Sequence, residues 1–194
     1  MGPISVSTTI DAPRESVFAL LIDLGIRPSF TDHFMTELRL ERLDPVGVGA
    51  AARFRLRDSN HWFDSVIDAT EPPYMVRERG QTGRSNRVPT FTVWELAEGP
   101  SPDGCEATVT FWTEPATHID RARERLIRGS RLRSDFKRAL VRLRDLAEGD
   151  AHVERVGVSG AIQGERAPLR DPPRRPARRA RRPPRGPEAE PARA

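Results

Sequence analysis

The chain contains one cysteine, Cys105, and one lysine, Lys137, in 194 residues. A lone cysteine excludes an intrachain disulfide and fits a reduced, cytoplasmic setting without requiring one. No stretch approaches the roughly 18 uncharged apolar residues that a membrane-spanning helix needs. The opening segment, MGPISVSTTIDAP, lacks both the basic and the unbroken apolar parts of a secretory leader, so the chain reads as soluble. Neither GxGxxG nor a P-loop pattern occurs, which counts against dinucleotide and nucleoside-triphosphate enzymes, and no motif calls for a cofactor. His33, His61, His118 and His152 are widely separated, with no HxH or HExxH spacing, so no metal site is expected.

With lysine nearly absent, almost all positive charge is arginine, and its distribution is uneven. The formal charge is +4; residues 161–194 hold ten Arg and four acidic residues, a net of +6, leaving 4 − 6 = −2 for residues 1–160. From Glu165 onward there is no aromatic residue, and Leu169 is the only large aliphatic one, so that segment has little to bury. The chain is therefore read as one domain over 1–150 and a disordered Arg/Pro-rich tail over 151–194. Charge alone gives such a tail weak contact with anionic surfaces, but without stacking residues it supports no specific nucleic-acid partner.

The domain is organised around a long amphipathic segment, Asp120 to Glu148, predicted as a helix over about 119–147. Leu126, Leu132, Phe136, Leu140, Leu143 and Leu146 recur at helical spacing, and charged residues fill the other side. Before it, strands dominate. Ile4, Val6, Thr8 and Ile10 alternate with Ser and Thr in a first strand. DAPRESVFALLIDL follows as a helix with Pro13 in its first turn and Gly25 at its end, and IRPSFTDHF as a second short helical piece. Six further strands are predicted, at about 36–43, 50–57, 61–70, 74–79, 88–96 and 105–113. The economical arrangement is a seven-stranded curved antiparallel sheet with two short helices and the long C-terminal helix across its inner face, an α+β helix-grip fold.

VSTTIDAPRESVFALLIDL, PSFTDHF, LDPVGVGAAARFRL and FKRALVRLRDLAE, in that order, resemble the polyketide cyclase/dehydrase and lipid transport superfamily, also called START-like, Bet v 1-like or SRPBCC. The resemblance covers roughly Ile4 to Glu148. It implies a site for a hydrophobic or amphipathic small molecule between sheet and last helix more firmly than it implies a reaction.

Candidate residues follow from these two readings. Trp62, Trp94 and Trp112 fall on predicted strands, where large aromatic faces suit either a ligand wall or a core. Phe54, at the bulky end of the third strand's inner face, and Phe136, on the long helix, complete the candidate ligand-binding set. If His61, Phe63, Ser65 and Ile67 face inward, Trp62 faces out; alternation leaves this open. His33, beside the expected entrance, is a candidate acid or base, although a polar residue on a short helix needs no function. Arg79 and Arg87 are candidate stabilisers of a developing anion, or else members of a solvated face making weak ion pairs. Two functions stay open: a binding module for a hydrophobic small molecule, and a cyclase or dehydratase acting on a polyketide-like substrate. Oligomeric state is not legible.

Overall fold

A computed structural model describes residues 2–57, 59, 61–83, 87–115, 129–149, 151–153 and 155–157. Seven strands form one antiparallel sheet: β1 (Ile4–Ile10), β2 (Met35–Leu40), β3 (Ala51–Leu56), β4 (Trp62–Glu71), β5 (Met75–Thr82), β6 (Val88–Glu98) and β7 (Cys105–Thr113). Their spatial order is β1-β7-β6-β5-β4-β3-β2, so the first strand closes the edge beside the last. Two short helices, α1 (Arg14–Ile22) and α2 (Pro28–Thr31), stand between β1 and β2, and α3 (Gly129–Ala147) follows β7. This is the expected helix-grip architecture. The N-terminal part of the expected long helix, along with Leu126, falls in 116–128, outside the described residues, as do His118 and all of the tail except 151–153 and 155–157.

Register explains why the alternation in β1 and β7 was so legible. Ile4, Val6 and Ile10 pair with Phe111, Val109 and Cys105, and all six are buried on one face. Burial pushes the Cys105 thiol pKa up, as for a small core residue. Over this edge lies α3, turned so that Leu132, Phe136, Ala139, Leu140, Leu143 and Leu146 are buried. Their spacing of three and four residues keeps one stripe inward over the full helix. The helix is aligned along β1 at both ends: Arg133 donates to the Ser5 carbonyl at 3.3 Å, and the Asp11 amide donates to Glu148 Oε1 at 2.8 Å. It stops where Gly149 takes a φ of 86°, a left-handed conformation that suits glycine at a helix C-terminus.

The first helix differs from expectation at both ends. Pro13 is extended (ψ 139°) and precedes the helix, its carbonyl accepting the amides of Ser16 and Val17. At the other end the helix stops at Ile22 rather than at Gly25. The reason is Asp23, which is extended, forms a bridge with Val46, and turns its carboxylate to the Gly25 amide at 2.9 Å.

That buried carboxylate also receives Arg155, while the Val156 amide donates to the Gly25 carbonyl at 2.9 Å. Residues just past α3 thus fasten onto the α1–α2 connection. Deleting 158–194 is expected to leave the unfolding midpoint unchanged, because the deleted segment offers almost no apolar area. Deleting 151–194 is expected to lower the midpoint, because it strips a buried carboxylate of its cation. Thermal denaturation of the two truncations checks this; equal midpoints would dismiss the fastening.

Candidate functional site

Strand register sorts the inner face into rows. One runs Phe54, Phe63, Thr82, Val88 across β3 to β6, with the two phenylalanines stacked at 5.7 Å. The next runs Ala52, Ser65, Gly80, Thr90, Thr113 from β3 to β7. A third runs Ile67, Glu78, Thr92, Phe111, Ile4 from β4 to β1. The middle row is low, made only of small side chains between two rows that include large ones. Gly80 is required there: a Cβ would stand 1.8 Å from the Asp64 carbonyl oxygen on β4 and 2.8 Å from Thr90 Oγ1.

Aromatic side chains gather over the third row. Phe136 of α3 meets Phe34 at 5.3 Å, Phe111 at 5.7 Å and Trp94 at 6.5 Å, and Trp94 meets Phe30 edge-on at 6.1 Å. At the β2–β3 end the apolar Met35, Leu38, Phe54 and Leu56 pack against the core yet are only half-buried.

A charged network lies within this apolar surface. Arg27, just before α2, and Glu78 on β5 are 2% and 5% exposed, and Arg27 Nη2 is 2.7 Å from Glu78 Oε1. The same oxygen accepts from Trp94 Nε1 at 2.9 Å, and Glu78 Oε2 accepts from Ser65 Oγ at 2.9 Å. Arg27 Nη2 also donates to the Leu21 carbonyl at 3.0 Å. The guanidinium carbon stands 5.1 Å from the Trp94 ring centre and 5.5 Å from that of Phe30. Arg27 Nε is buried with no hydrogen-bond partner among the described residues.

Among the candidate residues, Phe54, Trp94 and Phe136 are on this inner side, and His33 is next to it. His33 is buried, with Nε2 3.0 Å from the Asp135 carbonyl and Nδ1 3.3 Å from Arg142 Nη1. A neutral ring protonated on Nε2 satisfies both contacts, donating to the carbonyl and accepting from the guanidinium. Arg142 also pairs with Asp32. His33 therefore ties the end of α2 to α3. Burial lowers its pKa below the ordinary 6.5, and the Arg138 and Arg142 charges act in the same direction; the Asp135 contacts oppose them.

A lowered folded pKa means that the unfolded chain binds more protons between that value and 6.5. The contribution is complete above about pH 6.5 and is lost as pH falls toward the folded pKa. Wild type is thus expected to lose stability relative to His33→Gln as pH drops below about 6.5. Parallel unfolding curves at several pH values check this, and a constant difference between the two proteins would refute it.

The other candidates lie elsewhere. Arg79 is exposed on the outer face, paired in register with Phe91, and Arg87 is exposed just before β6. Trp62 and Trp112 also belong to the outer face. Trp62 is ringed by the guanidinium carbons of Arg39, Arg53 and Arg55 at 5.4, 5.1 and 4.6 Å, and Trp112 stacks on Phe91 at 5.0 Å. His33, Arg79 and Arg87 are therefore not brought together. Arg27, Glu78 and Ser65 were not singled out from the sequence. A signal for Glu78 existed: it shares a strand face with Val76 and Gly80, so an inward Val76 carries the carboxylate inward too.

A curved sheet gripping a C-terminal helix, with aromatic and polar groups on the gripped face, defines a class of fold, and sequence comparison narrows it. A family model described as polyketide cyclase / dehydrase and lipid transport matches residues 1–148, and the chain belongs to that family. Among solved structures, the KanY protein aligns with a TM-score of 0.59 at 18% identity, covering 77% of this chain and 100% of that one. Truncated norcoclaurine synthase from Thalictrum flavum aligns at 0.57 and 12%, covering 75% and 92%. A protein from Chromobacterium violaceum aligns at 0.56 and 17%, covering 77% and 100%. At these identities the likeness is one of fold. No curated protein matches the chain in a sequence search. No helix among the described residues is long and apolar enough to cross a membrane.

Proposed function

We propose that the domain binds a hydrophobic or amphipathic small molecule against the inner face of the sheet, beside the N-terminal half of α3. The observation that carries this reading is the low row Ala52–Ser65–Gly80–Thr90–Thr113 between two bulkier rows. A flat molecule laid along it meets Phe54 and Phe63 on one side and Phe111, with Phe136 packed against it, on the other. Family membership supports the same class of ligand. A mostly apolar surface with a few convergent polar groups is the usual make-up of such a site. Trp62 and Trp112, on the outer face, are left out of it.

The cyclase or dehydratase alternative draws no support from His33, both of whose ring nitrogens are engaged. Native mass spectrometry of protein purified from its own host, followed by release of any bound compound, tests the proposal. A copurifying lipid-like or aromatic compound returned unchanged is the expected result. Conversion of that compound by the protein would favour the enzyme. A ligand-free spectrum together with no uptake of added aromatic compounds would defeat the proposal.

A further inference from the structure

We propose that the β2–β3 hairpin is a membrane-docking tip and that its partner is an anionic lipid bilayer. Among the described residues six large hydrophobic side chains are exposed, and three of them, Leu43 (88%), Val46 (41%) and Val48 (62%), stand on this one hairpin. A fourth, Val153, lies in the segment that Arg155 and Val156 fasten to the α1–α2 connection, and that connection holds the hairpin as well. Apolar residues scattered singly over a surface need no explanation, but a cluster of them marks a contact. The tip is held in place. The Leu24 amide donates to the Pro45 carbonyl and the Gly47 amide to the Ile22 carbonyl, both at 2.9 Å, and the Val46 amide donates to Asp44 Oδ1 at 3.0 Å. A backbone bonded in this way presents its aliphatic side chains to water by construction and not by fraying.

Area and charge decide what covers the tip. Three aliphatic side chains fall well short of the roughly 800 Å² that a stable protein partner covers on each side, whereas a bilayer needs only a tip that enters it. Glu41, Arg42 and Asp44 sum to −1, so the hairpin has no attraction of its own for anionic lipid. The chain that follows supplies it. A Cβ placed on Gly25 would stand 3.3 Å from the Val156 carbonyl oxygen and 3.9 Å from Pro45, so the described chain, which ends at 157, leaves the domain beside the hairpin. Its continuation, residues 158–194, holds ten Arg and four acidic residues, a net of +6. A second copy of the chain would bring a second segment of the same charge and be repelled, while an anionic bilayer complements it. An inserted apolar group and a basic stretch are two signals that together give stable attachment where either alone is marginal.

Flotation of the full chain with lipid vesicles tests the docking. Wild type is expected to bind vesicles with about one phosphatidylglycerol to two phosphatidylcholines, to ignore pure phosphatidylcholine, and to weaken about tenfold or more as salt rises from about 0.1 to about 0.5 M. Leu43→Ser/Val48→Ser, which changes only exposed side chains, should keep the unfolding midpoint and bind the mixed vesicles about tenfold more weakly or worse. Changing Arg174, Arg175, Arg178, Arg179, Arg181 and Arg182 to Gln takes residues 158–194 from +6 to 6 − 6 = 0 and should abolish the preference for anionic lipid. An environment-sensitive dye on Leu43→Cys reports insertion even if the double variant does not fold, since Cys105 is fully buried and escapes labelling. Its emission should rise with the mixed vesicles, and an unchanged emission from vesicle-bound protein would refute the tip. Undiminished binding by the double variant would leave only a charge contact of the basic segment and overturn the proposal. Absence of wild-type binding would overturn it too, as would a wild-type dimer that the double variant turns into a monomer, because a second copy would then cover the tip.

Discussion

Phe136→Ala is expected to lower the unfolding free energy by about 3–5 kcal/mol, the range for truncating a fully buried phenylalanine. Phe136 is 2% exposed and touches rings from three different elements: Phe34 beyond α2, Trp94 on β6 and Phe111 on β7. Removing it leaves a gap where the helix, the sheet and the α2 end meet, and three aromatic neighbours cannot all move into it. Denaturant unfolding with an unchanged slope checks the prediction. A loss under about 1 kcal/mol would mean that α3 does not seat this residue against the sheet.

Arg27→Met alone is expected to cost about as much, roughly 3–5 kcal/mol, for a different reason: it leaves the Glu78 carboxylate buried and uncompensated. Glu78→Leu alone should be similarly harmful, stranding a guanidinium that is 2% exposed. The double change should recover part of the loss, because two buried charges are removed at once while Trp94 Nε1 and Ser65 Oγ lose their acceptor. A double-mutant cycle measures this coupling. Additive losses would show that the two residues act separately and that the close approach contributes nothing.

Legibility followed the physics of each element. In β1 and β7 one face is buried and the other meets solvent, so period-two alternation marks both ends of the strand. The stripe on α3 was legible for the same reason, with period 3.6 in place of 2. Trp62 shows the limit. Its outward direction follows from Phe63 and Ile67 facing in, yet a tryptophan on the outer face is unexpected until the three arginines that cover it are seen. Those arginines come from two other strands, and only register brings them to one ring.

The polar part of the site was the least legible. Glu78 between Arg77 and Arg79 looks like one charge of a solvated face, and Arg77 does make an exposed ion pair, with Asp68 at 2.9 Å. Nothing local says that Glu78 points the other way toward a cation from the α1–α2 connection. Arg27 was read as part of a short helical turn, where an arginine ordinarily faces water. The pair is created by tertiary packing, which places that turn over β5 and β6. His33 was singled out for its chemistry, but its neighbours make it a clasp between α2 and α3.

The central claim, that ligand meets the inner face and not the outer, is tested most directly by the three tryptophan indole N–H resonances. Trp94 donates to Glu78 inside, Trp112 donates to exposed Glu114 at 3.1 Å, and Trp62 lies under arginines on the outer face. Titrating 15N-labelled protein with 2-acetylnaphthalene is expected to shift the Trp94 signal progressively to saturation while the signals of Trp62 and Trp112 stay in place. Shifts confined to Trp62 or Trp112, with Trp94 unmoved at saturation, would contradict the account.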